Sequence, residues 1–144
     1  MKCLFCGFIS GKRKVHDNRF PFKILDETQN TIAFLSVDFP STENGHVLVI
    51  PKKHFENLED VPKTILSELI NEVKKISKIL RVNHKGTNVL LKNGKYAGQK
   101  IMHTHFHIIP RNPDDDIEIE IFKRKRLSFK EYNRLFNSLK KLIS

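Results

Sequence analysis

His103, Thr104, His105, Phe106 and His107 set three imidazoles at alternate positions of a short segment that continues into Ile108, Ile109 and Pro110. In an extended chain, side chains at i, i+2 and i+4 share one face, with roughly 6.6 Å per step. Three polar rings on one face, with Phe and Ile turned to the other, would be a poor solution for packing alone. Two chemistries suit such a row. Neutral imidazole is the commonest transition-metal ligand, and several can converge on one ion. Alternatively, one ring attacks an electrophile while a neighbour with a pKa near ~6.5 handles protons at neutral pH. The spacing alone leaves both open. Cys3 and Cys6, the two cysteines of the chain, form a second constellation, Cys-x-x-Cys. A thioredoxin-like pair would follow a buried strand, whereas only Met1 and Lys2 precede this one. A structural disulfide does not suit a reducing cytosol. Zinc is the better reading, and it needs two further ligands.

Elements must hold these residues in place. Phe20–Ile24 and Thr31–Leu35 read as strands around a turn at residues 26–30, and His46–Pro51 is an apolar, β-branched run too short for a helix. Asp60 and Pro62 mark a helix start, after which Ile65, Leu66, Leu69, Ile70, Val73, Ile76 and Leu80 fall on one 3.6-residue stripe. Thr87–Leu91 reads as a strand running into a turn-rich segment, Asn93 to Gly98, and the histidine row occupies a strand within Ile101–Pro110. Ile117–Ile121 alternates like another strand, and Ser128 can cap a last helix through Leu142. This mixed order favours an α+β class with a mainly antiparallel sheet.

The chain has 144 residues, 26 Lys+Arg and 16 Asp+Glu, for a net charge of +10. That is one domain's worth of chain, with enough apolar residues to exclude disorder. No apolar run approaches the ~18 residues of a membrane span, and no secretory h-region opens the sequence. The expected compartment is therefore the cytoplasm, with no membrane partner. The basic surplus attracts polyanions without choosing among them.

The row His103 to Ile109 resembles the signature of the histidine triad (HIT) family, His-x-His-x-His followed by two apolar residues. Cys3-Leu4-Phe5-Cys6, the segment Gly45 to His54, and Asn93 to Gln99 match the same family in order, so the likeness spans residues 1–112. It implies a HIT-like fold, a five-stranded antiparallel sheet with two main helices, and leaves residues 113–144 as a basic extension, strand plus helix, packed on the same domain. It also implies a homodimer, with the helix of residues 62–82 and a sheet edge facing the partner. The implied activity is hydrolysis at the α-phosphate of dinucleoside polyphosphates or adenosine phosphoramidates. His105 would be the nucleophile, forming a nucleotidyl-histidine intermediate, with one ring N–H held by a backbone carbonyl. His107 would contact the phosphate oxygens or the leaving group. A third His rather than Gln places the chain with the hydrolase branches.

By the same resemblance Leu4, Phe5 and Phe8 sandwich the purine, Asp38 bonds the ribose hydroxyls, and Phe39 extends the apolar wall. Asn93, Gln99, Lys92 and Lys100 fall at phosphate-binding positions. Lys92 and Lys100 stand where relatives carry neutral donors, which points to a more highly charged substrate such as a dinucleoside polyphosphate. Zinc-containing relatives imply a structural ion held by Cys3, Cys6, His46 and His103, while His16, His54 and His84 receive no role. Two rival readings remain: a purine-nucleotide or RNA binding module, and HIT chemistry on adenylated nucleic acid ends. Both would use the basic cluster Lys123 to Arg126 with Lys130, Arg134, Lys140 and Lys141 to follow phosphates.

Overall fold

The computed structural model describes residues 3–17, 19–37 and 45–143. Five strands, β1 (Ile24–Glu27), β2 (Thr31–Leu35), β3 (Val47–Pro51), β4 (Gly86–Leu91) and β5 (Phe106–Arg111), form one sheet in the order β1-β2-β3-β5-β4. Every neighbouring pair is antiparallel. Three helices accompany it: α1 (Leu4–Ile9), α2 (Lys63–Leu80) and α3 (Phe129–Ile143).

β3 is the centre because all five of its residues are buried, which suits a strand covered on both faces. Alternation divides those faces. Ala33, Val47, Val49, Phe106 and Ile108 pack against Leu69, Val73 and Ile76 of α2. Ile32, Phe34, Leu48 and Ile50 pack against Phe5 and Phe8 of α1. One residue of register slip would exchange the two faces, so the pairing is specified by burial on both sides. The apolar stripe predicts α2 well, although Ile70 lies outside it at 47% exposure. Pro62 stands at the N-cap of α2, and Asp60 instead closes a capping box with Asn57 one turn earlier.

Several expected boundaries move. The first strand begins at Ile24 rather than ending there, and Pro21 makes only an isolated bridge to Val15. β5 begins at Phe106, so His103 and His105 precede the strand expected to carry them. Residues 117–121 form no strand. Their Ile/Glu alternation is overruled by Asp115, which accepts hydrogen bonds from Arg111, Asn112 N and Ile117 N, while Asp114 and Asp116 take positive φ. Arg111 also donates to the Ile117 carbonyl, so the chain turns back on the end of β5 instead of adding a strand. Ser128 does cap α3, exchanging bonds with Glu131. α3 itself buries no residue.

Candidate active site

The α1 face of the sheet carries a cleft of about 490 Å³. Register builds it: Phe34 pairs with Leu48, Leu48 with His107, and His107 with Leu90, giving a row that crosses four strands. Leu4 and Phe5 from α1 close one side, and Lys92 and Lys100 stand exposed on the other. His105 and His107 lie in the cleft with ring centroids 4.8 Å apart.

The hydrogen bonds assign the protons. His105 Nδ1 lies 2.6 Å from the carbonyl oxygen of His103, which can only accept, so Nδ1 carries the hydrogen and Nε2 keeps the lone pair. Burial lowers the pKa of His105 against that bond, which raises it, and the charge of Lys92 lowers it further. His107 is pushed down to about 3, by burial first and then by His105, His46 and Lys92. Both rings are therefore neutral at pH 7. His107 Nδ1 shares a 2.9 Å hydrogen bond with His46 Nε2, and His107 Nε2 is buried without a partner among the described residues. A buried ring nitrogen left open in a cleft is a ready contact for a substrate oxygen.

His103 turns the other way. Its Nε2 lies 2.9 Å from the Pro51 carbonyl, which fixes the hydrogen there and leaves the Nδ1 lone pair facing Cys3, Cys6 and His54. Burial lowers the pKa of His103 to about 4. The four donor atoms lie within 4.8 Å of one another. A tetrahedral zinc site has edges of roughly 3.3 Å between two nitrogens and roughly 3.6 Å between nitrogen and sulfur. Here the two Nδ1 atoms are 3.3 Å apart, and the S···N separations are 3.4, 3.5 and 3.7 Å. The donor set and these four of its six separations fit the ion.

The expected ligand His46 is thus corrected to His54. Residues 46, 48 and 50 share the cleft face of β3, and His46 sits at the end of that strand beside His107. The cysteines instead meet the chain just beyond Pro51, where His54 lies. Two residues expected at phosphate-binding positions are engaged within the protein. Asn93 bonds Leu58 N and Glu59, and Gln99, 5% exposed, bonds Gly94 N and the carbonyls of Glu56 and Ile101. Both brace the loop from which Lys92 and Lys100 project. Phe8 lies behind the wall, stacked on Phe22 at 4.3 Å, rather than in the cleft. Asp38 and Phe39 lie outside the described residues. Sequence reading missed Phe34, Ser36, Leu48 and His46 as cleft residues, although the parity shared by 34 and 36, and by 46 and 48, was a usable signal.

The HIT domain model matches residues 19–114. The chain belongs to the HIT family. This HIT protein is 37% identical over 118 residues to the adenosine 5'-monophosphoramidase HNT1 of Candida albicans, covering 78% of this chain and 72% of that one. Its fold superposes on SMU.412c from Streptococcus mutans with a TM-score of 0.83 and 29% identity, over 99% of this chain and 86% of that one. A zinc-bound histidine triad protein from Mycobacterium smegmatis gives a TM-score of 0.69 and 28% identity, over 99% and 96% of the two chains. Family membership makes this chain an enzyme of the histidine triad type. Among the described residues no helix is long and apolar enough to cross a membrane.

Proposed function

We propose that this HIT protein hydrolyses adenosine phosphoramidates or dinucleoside polyphosphates at the α-phosphorus through a nucleotide bound covalently to His105. The observation that carries the reading is the bond from His105 Nδ1 to the His103 carbonyl, which leaves a neutral ring with its lone pair on Nε2 inside an apolar-walled cleft. Nε2 attacks phosphorus, the bond from phosphorus to the leaving amine or phosphate breaks, and the leaving group takes up a proton from solvent water. Water then attacks the phosphorus of the phosphohistidine, releasing the nucleoside monophosphate and restoring the ring. Splitting one displacement into two is the gain from covalent catalysis. Leu4, Phe5, Phe34 and Leu48 give the base an apolar seat, and His107 Nε2 contacts the phosphate or the departing group. Lys92 and Lys100 add point charges suited to an extended polyphosphate.

Cys3, Cys6, His54 and His103 hold a structural zinc ion, which supplies no step of the reaction. Its effect is positional, because the ring it fixes belongs to the residue whose carbonyl orients His105.

Wild type, His105→Ala and Lys100→Ser are compared on adenosine phosphoramidate and diadenosine tetraphosphate. His105→Ala reduces turnover of both to background and no longer yields labelled protein from radioactive nucleotide. Lys100→Ser lowers kcat/KM for the tetraphosphate about two- to five-fold more than for the phosphoramidate, as an exposed charge allows. Turnover that survives in His105→Ala refutes the mechanism, and an unchanged substrate ratio in Lys100→Ser refutes the polyphosphate preference.

A further inference from the structure

His16 takes no part in the chemistry at His105, yet it lines the same cleft and is only 9% exposed. It stands before residue 19, where the HIT domain match begins. A short hairpin carries it. Val15 bridges Pro21, and on either side of that bridge Phe22 N donates to the Lys14 carbonyl at 2.9 Å and His16 N to the Phe20 carbonyl at 2.8 Å. Arg19 N closes the turn on the His16 carbonyl, while Arg13 N, bonded to the Gly7 carbonyl, ties the loop to α1. Neighbours in an extended segment face opposite ways, so Val15 is exposed and His16 is turned inward. There its ring meets three phenylalanines, with centroids 4.9 Å from Phe8, 5.8 Å from Phe22 and 6.4 Å from Phe34. A further apolar side chain would fill that space without burying a polar atom, so packing alone does not call for an imidazole.

We propose that His16 hydrogen-bonds the edge of the nucleobase and sets the choice among bases. The inference rests on the reading that the apolar end of the cleft seats the base. Phe34, which His16 adjoins, stands two strands from His107, roughly 10 Å at the spacing of paired strands. A nucleotide whose phosphorus lies at His105 therefore brings its base, not its phosphate, to His16. Leu4, Phe5, Phe34, Val37 and Leu48 line the cleft there with apolar surface, and such a wall accepts every base, because every base has a π-face. Preference comes from the polar groups beside the wall, since the bases differ in the donors and acceptors along their edges. An imidazole offers both kinds, and one ring nitrogen can be held by the protein while the other meets a ligand. The hairpin bonds fix the main chain on which this ring is mounted, so the contact is positioned before the nucleotide arrives.

Two measurements on the full chain test this: calorimetric binding of AMP, GMP, CMP and UMP, and kcat/KM for the four corresponding nucleoside phosphoramidates. His16→Phe keeps an aromatic ring among the phenylalanines and removes both nitrogens, and His16→Leu does the same with a smaller side chain. Thermal unfolding shows which variant keeps the wild-type fold. Wild type favours one base over the least favoured by about tenfold or more. The folded variant binds and turns over that base about 10- to 30-fold less well, chiefly through KM, and its spread among the four bases falls to about threefold or less. Equal affinity of wild type for all four, an equal loss for every base in the variant, or an unchanged order and spread overturns the proposal and leaves the hydrolysis standing. A His16-dependent preference in binding without turnover of any of the four supports the contact and refutes the hydrolysis. Wild type that binds none of the four refutes both.

Discussion

At the scale of single residues, the seven histidines divide by what their ring nitrogens face. His105 and His103 each give one N–H to a main-chain carbonyl, and the nitrogen left over is directed to a different purpose, the cleft in one case and the cysteines in the other. Two flanking histidines, His46 and His54, sort the same way, because one bonds His107 and the other joins the cysteines. They are separable by experiment. His54→Ala protein purified without added metal should contain little zinc, as should Cys6→Ala, whereas His46→Ala should retain about one equivalent and lose roughly 10²-fold in turnover through His107. Metal analysis beside a rate assay reads both. Equal metal loss in His46→Ala would return that residue to the ligand set. Sequence spacing revealed His105 and His107 because their alternation is local. It could not separate His46 from His54, since they flank one strand and only its end point at Pro51 decides which meets the cysteines.

At the scale of elements, α2 holds the hairpin of β1 and β2 through a set of carboxylates and amines. Glu68 accepts bonds from Asn30 and Thr28, and Lys75 pairs with Asp26. Glu72 lies 3% exposed next to Asp26, with Oε1 lacking a partner among the described residues. Burial, and then the neighbouring carboxyl of Asp26, raise its pKa, and Lys75 opposes the rise only in part. A carboxyl whose folded pKa is raised binds its proton more tightly in the folded state. The stability it contributes is complete below the ordinary carboxylate value and is lost as pH rises through the folded one. Glu72→Gln mimics the protonated form. Its Tm should therefore exceed that of wild type at pH 8, and the difference should shrink as the pH falls below about 4. A Tm difference that does not change with pH would contradict the assignment. β2, β3, β4 and α2 were legible from apolar runs and a period of 3.6, with β2 at Thr31–Leu35 as read, whereas β1 begins where the expected strand ended and takes in residues read as the turn. α1 was not legible, because six residues are too few for a periodicity to emerge. Ile117–Ile121 misled for the opposite reason: its alternation is real, but the side chain of Asp115 satisfies the local backbone before any strand can form.

On the scale of the whole molecule, three remote parts of the chain meet at the cysteine and histidine cluster: α1, the turn beyond β3, and the segment before β5. Removing zinc with a chelator should lower Tm by roughly 5–10 °C, the shift expected when a ligand held at about a hundred times its Kd is withdrawn from a domain of this size. Hydrogen exchange should then increase in α1 while β3 and β5 stay protected, and uniform deprotection would argue against a local clasp. Phe5 lies between the two cysteines in sequence, with its ring 5.7 Å from His103 and 5.3 Å from His105. The conserved-domain boundaries begin later, at residue 19. A fragment trimmed to residues 19–114 would keep His105 and His107 yet shed both cysteines, the base wall of Leu4 and Phe5, and the cover over Phe34 and Leu48. The shortest piece that contains the signature is thus not the shortest piece that keeps the cleft: Cys3, Leu4, Phe5 and Cys6 build the cleft wall and the cysteine and histidine cluster beside the triad.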